Sequence, residues 1–161
     1  MSHKSAQRKF NYTADGYQRS LVSLIEQFSS GHRRDTVFRD FVELSALAIS
    51  NSVDRAQFDA REKRYLEIVG KYQPDEVNRF PQMLAALTGT FELRAAGMQE
   101  AREAGRSVLG LTDVLGETYM MLGLGNDRAG QYFTPYAVSR LTASLVSSGV
   151  ADRARVCGFE R

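Results

Sequence analysis

The sequence predicts an all-α fold, a helical bundle of about six or seven helices. Apolar residues recur at steps of three and four along most of the chain, which is the spacing of one buried helix face. No segment shows the convincing alternation of apolar and polar residues that a half-buried strand would have. Helix breakers such as Pro74 and the cluster Ser29-Ser30-Gly31 fall between the periodic stretches.

The first helix is predicted to follow a polar lead. Residues 1–12 are polar and basic, and we expect them to form a flexible basic lead. The helix then runs from Asp15 to Phe28, where Ser29-Ser30-Gly31 ends it. Its apolar stripe consists of Tyr17, Leu21, Leu24, Ile25 and Phe28.

Two more helices are predicted in the next forty or so residues. A largely buried second helix spans Val37 to about Asn51, because only Glu43 and Ser45 interrupt its apolar run. Asp54 has the side chain of a good N-cap, so a third helix is predicted to begin there. The apolar residues of that third helix are Phe58, Tyr65, Leu66, Ile68 and Val69.

A fourth helix is predicted to open at Pro74 and to run to about Ala96, with a bend at Pro81 or Gly89. The polar stretch 99–106 reads as a loop or a loose helix. A further helix is predicted over 113–122. Residues 13–128 are therefore predicted to form a helical N-terminal domain, and 129–161 a separate segment.

The composition excludes several classes of protein. At 161 residues the chain is long enough for one domain with its own core, and its net charge of +2 is too small to indicate nucleic-acid binding by itself. One cysteine excludes an internal disulfide, and two histidines give no credible zinc ligand set. No apolar run is long enough to cross a membrane. We expect a cytoplasmic protein with no metal site and no membrane contact, and no spacing fixes a catalytic residue.

The stretch Gly130-Gln131-Tyr132-Phe133-Thr134-Pro135 has the pattern of a ligand-binding turn. Thr134 is a good N-cap and Pro135 a good first helical residue, so a helix is predicted to begin at Pro135. A helix N-terminus attracts carboxylates, and aromatic rings attract cations. The alternative is a capped turn that only packs its two rings into a core. The helix that follows is expected to pack its apolar face against a core, and that face consists of Val138, Leu141, Leu145 and Val146.

The order Asp113-x-Leu115-Gly116-x-x-Tyr119, followed by G-Q-Y-F-T-P and an amphipathic helix, resembles the modification subunits of type I restriction-modification systems and related adenine-specific DNA methyltransferases. In that family the G-Q-[FY]-F-T-P segment is the first S-adenosylmethionine-binding motif. The resemblance therefore implies that the cofactor contacts of this chain are Gln131, Tyr132, Phe133, Thr134, Pro135 and Tyr136. It also implies DNA and a specificity subunit as partners, and it leaves a restriction subunit and self-association open.

The family pattern continues with two motifs that this sequence lacks. One is a glycine-rich D/E-P-A-C-G-x-G cofactor loop, and the other is N-P-P-[FY], which holds the target adenine. The only prolines are Pro74, Pro81 and Pro135, so N-P-P cannot occur. The resemblance thus implies a helical region N-terminal to a Rossmann-like methyltransferase domain that is missing here. We expect the chain alone to be inactive and to bind S-adenosylmethionine weakly or not at all.

The basic cluster His32-Arg33-Arg34 is the best candidate for contact with DNA. Basic side chains can contact backbone phosphates, and each such contact adds salt-dependent affinity. A solvated helix end is the alternative for these residues. For the whole chain, the rival interpretation is a self-sufficient helical interaction or regulatory module that has no methyltransferase activity. A third interpretation is a helix-turn-helix protein that binds DNA, but the sequence has no obvious pair of short helices for that motif.

Overall fold

The computed structural model describes residues 8, 10–28, 31–106, 113–124, 138–139 and 141–146. Those residues are helices and connections with no strand among them, which confirms the predicted all-α class. Contacts divide the chain into two units, Met1–Gly125 and Asn126–Arg161. Residues 8 and 10–13 of the first unit are helical, and after them come α1 (Gly16–Glu26), α2 (Arg34–Val53), α3 (Phe58–Val69), α4 (Pro74–Val77), α5 (Arg79–Glu103) and α6 (Val114–Met121).

Helix α1 begins where the sequence predicts, with Asp15 as its N-cap. The Asp15 carboxylate accepts a hydrogen bond of 2.7 Å from the backbone amide of Gln18. Helix α1 packs along α5, and the two approach closely at Gly89. A Cβ atom at Gly89 would lie 2.8 Å from the ring of Tyr17, so only glycine leaves room for that ring.

The core of the first unit lies between α1, α5, α6 and the first half of α2. Phe10, from the segment predicted to be a flexible lead, is also buried in it. The largest apolar side chains that are almost fully buried are Phe41, Leu21, Ile25, Ile68 and Met83.

Helix α2 is buried over only half of its length, which corrects the expectation of a largely buried helix. Burial ends at Leu44, and Ile49 and Val53 are 56% and 81% exposed. The physical reason is that the second half of α2 has one main neighbour, α3, which covers a single side. Helix α3 in turn packs chiefly on α2, and Ile68 is its one buried residue.

Helix α3 begins at Phe58 and not at Asp54, so that predicted cap is wrong. The Asp54 carboxylate instead accepts a hydrogen bond of 2.9 Å from the amide of Ala56 and pairs with Arg61. Asp54 therefore closes the turn between α2 and α3. An acidic residue after an apolar run can cap either a turn or a helix, and sequence alone does not separate the two.

The predicted fourth helix is two helices. The break falls at Asn78, between α4 and α5, and not at Pro81 or Gly89. Pro81 has no N–H to bond the carbonyl of Val77, and its ring would clash with that carbonyl in a continuous helix, so the chain breaks ahead of it. Helix α5 then runs to Glu103, through most of the stretch predicted to be a loop or a loose helix.

In the second unit, residues 138–139 and 141–146 are helical, within the helix that was predicted to start at Pro135. Val138, Leu141, Leu145 and Val146 are exposed, so the expectation that this face packs against a core is wrong for the structure. The described residues of this unit form a single helix, and one helix cannot enclose its own apolar face. Over the described part of the chain, none of the helices is both long enough and apolar enough to span a lipid bilayer.

Candidate functional site

Helix α6 carries the first part of the motif, and its local structure explains the residue spacing. Asp113 is the N-cap, and its carboxylate accepts a hydrogen bond of 2.8 Å from the backbone amide of Gly116. A Cβ atom at Gly116 would clash with that carboxylate. An aspartate followed by a glycine three positions later therefore forms a tight helix start.

Two side chains of α6, Glu117 and the motif residue Tyr119, dock this helix onto the rest of the first unit. The Glu117 carboxylate accepts hydrogen bonds of 3.4 Å from both Arg94 of α5 and Gln18 of α1. Arg94 also donates to the Gln18 side-chain oxygen at 3.2 Å. The ring of Tyr119 stands edge-on to Phe38 of α2, with centroids 5.7 Å apart. Three helices thus hold α6 in place.

The predicted cofactor residues lie outside the described residues. These are Gln131, Tyr132, Phe133, Thr134, Pro135 and Tyr136. Their contact with S-adenosylmethionine stays a prediction, and so does the capped turn at Thr134 and Pro135. Helix α6 ends at Met121, before the turn that begins at Gly130.

The predicted DNA-binding residues separate into one half-buried and two exposed side chains. His32 lies with Nε2 3.3 Å from the Glu76 carboxylate, and its ring packs on Tyr72 at a centroid distance of 4.5 Å. Its contacts are therefore directed into the protein. Arg33 and Arg34 are exposed at the start of α2, where each lies within 4.0 Å of a carboxylate. Their contact with DNA stays a prediction.

A buried polar cluster between α2 and the α3–α4 connection was not predicted. Asp40 is 1% exposed, and its Oδ2 accepts hydrogen bonds from the Tyr72 hydroxyl at 2.9 Å and from Lys71 at 3.3 Å. Oδ1 of Asp40 accepts no hydrogen bond within the described residues and faces Arg39 Nε at 3.8 Å. Burial, together with the hydrogen bond to Asp40, raises the pKa of Tyr72 well above its usual value.

Periodicity could have identified Asp40, since it follows Val37 by three positions and precedes Leu44 by four, on the buried face of α2. Its partner Tyr72 is far away in the sequence, and no local signal pairs the two. The cluster ties α2 to the α3–α4 connection and is a structural network. In the described part of the chain, no group of three or more histidine, cysteine or acidic side chains could hold a metal ion.

Comparison with known proteins adds no assignment to these observations. No family model, curated protein or solved structure matches the chain. The functional interpretation therefore depends on the residues of the motif and on the contacts that α6 makes.

Proposed function

We propose that this chain is the N-terminal helical part of an S-adenosylmethionine-dependent DNA adenine-N6 methyltransferase, similar to type I modification subunits. In the complete enzyme, a flipped adenine would receive the methyl group on its exocyclic nitrogen. The observation that carries the proposal is the motif order, in which the Asp113-capped helix α6 is followed by G-Q-Y-F-T-P.

The contacts of α6 support this assignment on physical grounds. Helix α6 is held by Glu117, which accepts hydrogen bonds from Arg94 and Gln18, and by the motif residue Tyr119, which packs against Phe38. S-adenosylmethionine carries a carboxylate, a sulfonium and an adenine, which suit a helix N-terminus and two aromatic rings.

The chain would contribute one wall of the cofactor pocket together with contacts to DNA or to a specificity subunit. Calorimetric titration of the chain with S-adenosylmethionine should give no micromolar affinity, because the glycine-rich loop that would hold the cofactor is not in the sequence. Micromolar binding would contradict this division of the site between the chain and a further domain.

The coding DNA that follows the Arg161 codon gives the most direct test of the assignment. An open frame that reaches a glycine-rich cofactor loop and an N-P-P-[FY] motif would support the methyltransferase. An immediate stop codon would favour the second candidate, a self-sufficient helical interaction module. The exposed apolar residues Ile49 and Val53 on α2 favour that candidate.

Duplex DNA titrations at several salt concentrations test the predicted DNA contacts. Replacing Arg33 and Arg34 together by alanine should lower the slope of log affinity against log salt by about 1 to 2, since each phosphate contact contributes about 0.9. The matched control replaces Arg102, in the last turn of α5, and Arg106, just after its end, and both side chains are exposed. An equal decrease of this slope in both double variants would exclude a specific role of Arg33 and Arg34 in DNA binding.

A further inference from the structure

Apolar side chains lie on all sides of helix α6. They are Val114, Leu115, Tyr119, Met120 and Met121. Successive residues of a helix are turned by about 100°, so these five leave no gap wider than about 100° around its axis. Every residue of α6 is buried or partly buried. Because the hydrophobic effect has no direction, apolar burial alone does not select one rotation of α6 about its axis.

Glu117 gives α6 contacts that do depend on direction. Its Oε2 accepts hydrogen bonds of 3.4 Å from Gln18 Nε2 and from Arg94 Nη2, and Nη2 also donates to Gln18 Oε1 at 3.2 Å. We name these three mutually bonded side chains the polar triad. Gln18 is 1% exposed, and the side chains of Arg94 and Glu117 are 18% and 24% exposed. A hydrogen bond requires alignment of donor and acceptor, so a rotation of α6 would break the triad.

Two other contacts of α6 constrain its rotation less. The Asp113 carboxylate caps the amide of Gly116, which is a contact of the helix with its own N-cap. The ring of Tyr119 packs edge-on to Phe38, and the neighbouring apolar side chain of Met120 would take its place in a rotated helix. Neither of these two contacts excludes a rotation.

The polar triad satisfies its own polar atoms incompletely. Arg94 Nη1 is buried and has no hydrogen-bond acceptor within the described residues, and a buried donor without an acceptor costs free energy. Apolar side chains of similar volume often replace a buried charged group without loss of stability. Such a replacement of the triad should therefore preserve the packing of α6 and remove only the directional contacts.

We propose that the polar triad fixes the rotation of α6 about its axis, so that the side of the helix that carries Tyr119 faces Phe38. Gln18 and Arg94 then act as positioning residues for α6 through Glu117. The proposal is independent of the methyltransferase assignment, because it concerns contacts within the first unit.

NMR spectroscopy of the full chain tests the proposal through the nuclear Overhauser effect (NOE) between the ring protons of Tyr119 and Phe38. The wild type should show this NOE and a single set of amide signals for α6. The triple variant Gln18→Met, Arg94→Met, Glu117→Met removes all three polar side chains together. Its NOE should fall about twofold or more, as expected when two or more rotations are populated.

The matched control is the double variant Glu43→Met, Arg64→Met, which removes a hydrogen-bonded pair between α2 and α3 and should leave the NOE unchanged. Glu117→Gln keeps a side-chain oxygen that accepts from Arg94, so it should also retain the NOE. Three results would overturn the proposal: a wild-type chain with several sets of α6 signals, a triple variant with the full NOE, or a control that loses the NOE equally.

Circular dichroism checks that each variant is folded. Should the triple variant unfold, Glu117→Met is compared directly with Glu117→Gln. The methionine variant should lose the NOE and the glutamine variant should keep it, and equal NOE intensities in the two would overturn the proposal.

Discussion

The two halves of α2 are similarly rich in apolar residues but have different surroundings. In the first half Val37, Phe41 and Leu44 are buried against α1 and α5, whereas in the second half Ile49 and Val53 are exposed. The apolar residues of the buried half include two phenylalanines, whereas those of the exposed half are all aliphatic. Apolar periodicity therefore shows that a helix face requires cover, but it does not say whether the same chain supplies that cover.

The largest expected effect comes from a matched pair of truncations, one in each half of α2. Phe41→Ala should lower the free energy of unfolding by about 3–5 kcal/mol, because it leaves a cavity in the core. Ile49→Ala should cost less than about 0.5 kcal/mol, since the side chain is exposed. Urea unfolding at low protein concentration measures both. Equal costs would show that the second half of α2 is as well packed as the first.

Tyr72→Phe tests the polar cluster that ties the buried half of α2 to the α3–α4 connection. The change removes the hydroxyl that donates to buried Asp40, and it should cost about 1–3 kcal/mol. The pKa of Tyr72 is raised in the folded protein, so wild-type stability is retained below about pH 10 and falls above it, where the unfolded chain ionises first. Urea unfolding between about pH 8 and pH 11 should show a shallower decline for the variant.

The helix start of α6 should show a smaller and local effect. Gly116→Ala places a Cβ against the Asp113 carboxylate, and Asp113→Ala removes that carboxylate. Each change should cost about 0.5–2 kcal/mol, the range for loss of an N-cap. Because both act on the same cap, the double variant should cost less than the sum of the two. Additive costs would show that the glycine has another role.

The smallest expected effect is in the contact between α2 and α3. Arg64 lowers the pKa of Glu43, mainly through their hydrogen bond. The contribution of this pair to stability is present above the ordinary glutamate pKa of about 4.3 and is lost as the pH falls through the lower folded value. Glu43→Gln should cost at most about 1 kcal/mol at neutral pH, because the pair is partly exposed. A larger decrease in the free energy of unfolding would show that the packing of α3 on α2 depends on this pair.

Local signals predicted the fold class and the elements that begin with a clear cap. The starts of α1 at Asp15 and of α6 at Asp113 depend on side chains that act within one turn of the helix, so the sequence contains the whole cause. The break at Asn78 also has a local cause, Pro81, but the same sequence is consistent with a bend at Pro81 or Gly89 in one continuous helix.

Features that depend on distant partners could not be predicted in the same way. Tyr72 and Asp40 meet only after α2 and α3 have packed, and the exposure of Ile49 depends on where α1 and α5 end. For the candidate site, the motif spacing of α6 has a structural explanation. The predicted contacts of Gln131 to Tyr136 with a cofactor remain to be tested by experiment.

Helix α5 extends well past the core that it helps to form. Past Arg94, which bonds Glu117 of α6, about 14 Å of the helix continues with no buried residue, and Arg102 lies in its last turn. Gly105, at a φ of 66°, then turns the chain. Trypsin should therefore nick the folded protein near Arg102 or Arg106, and the resulting fragments should stay associated through the docked helix α6.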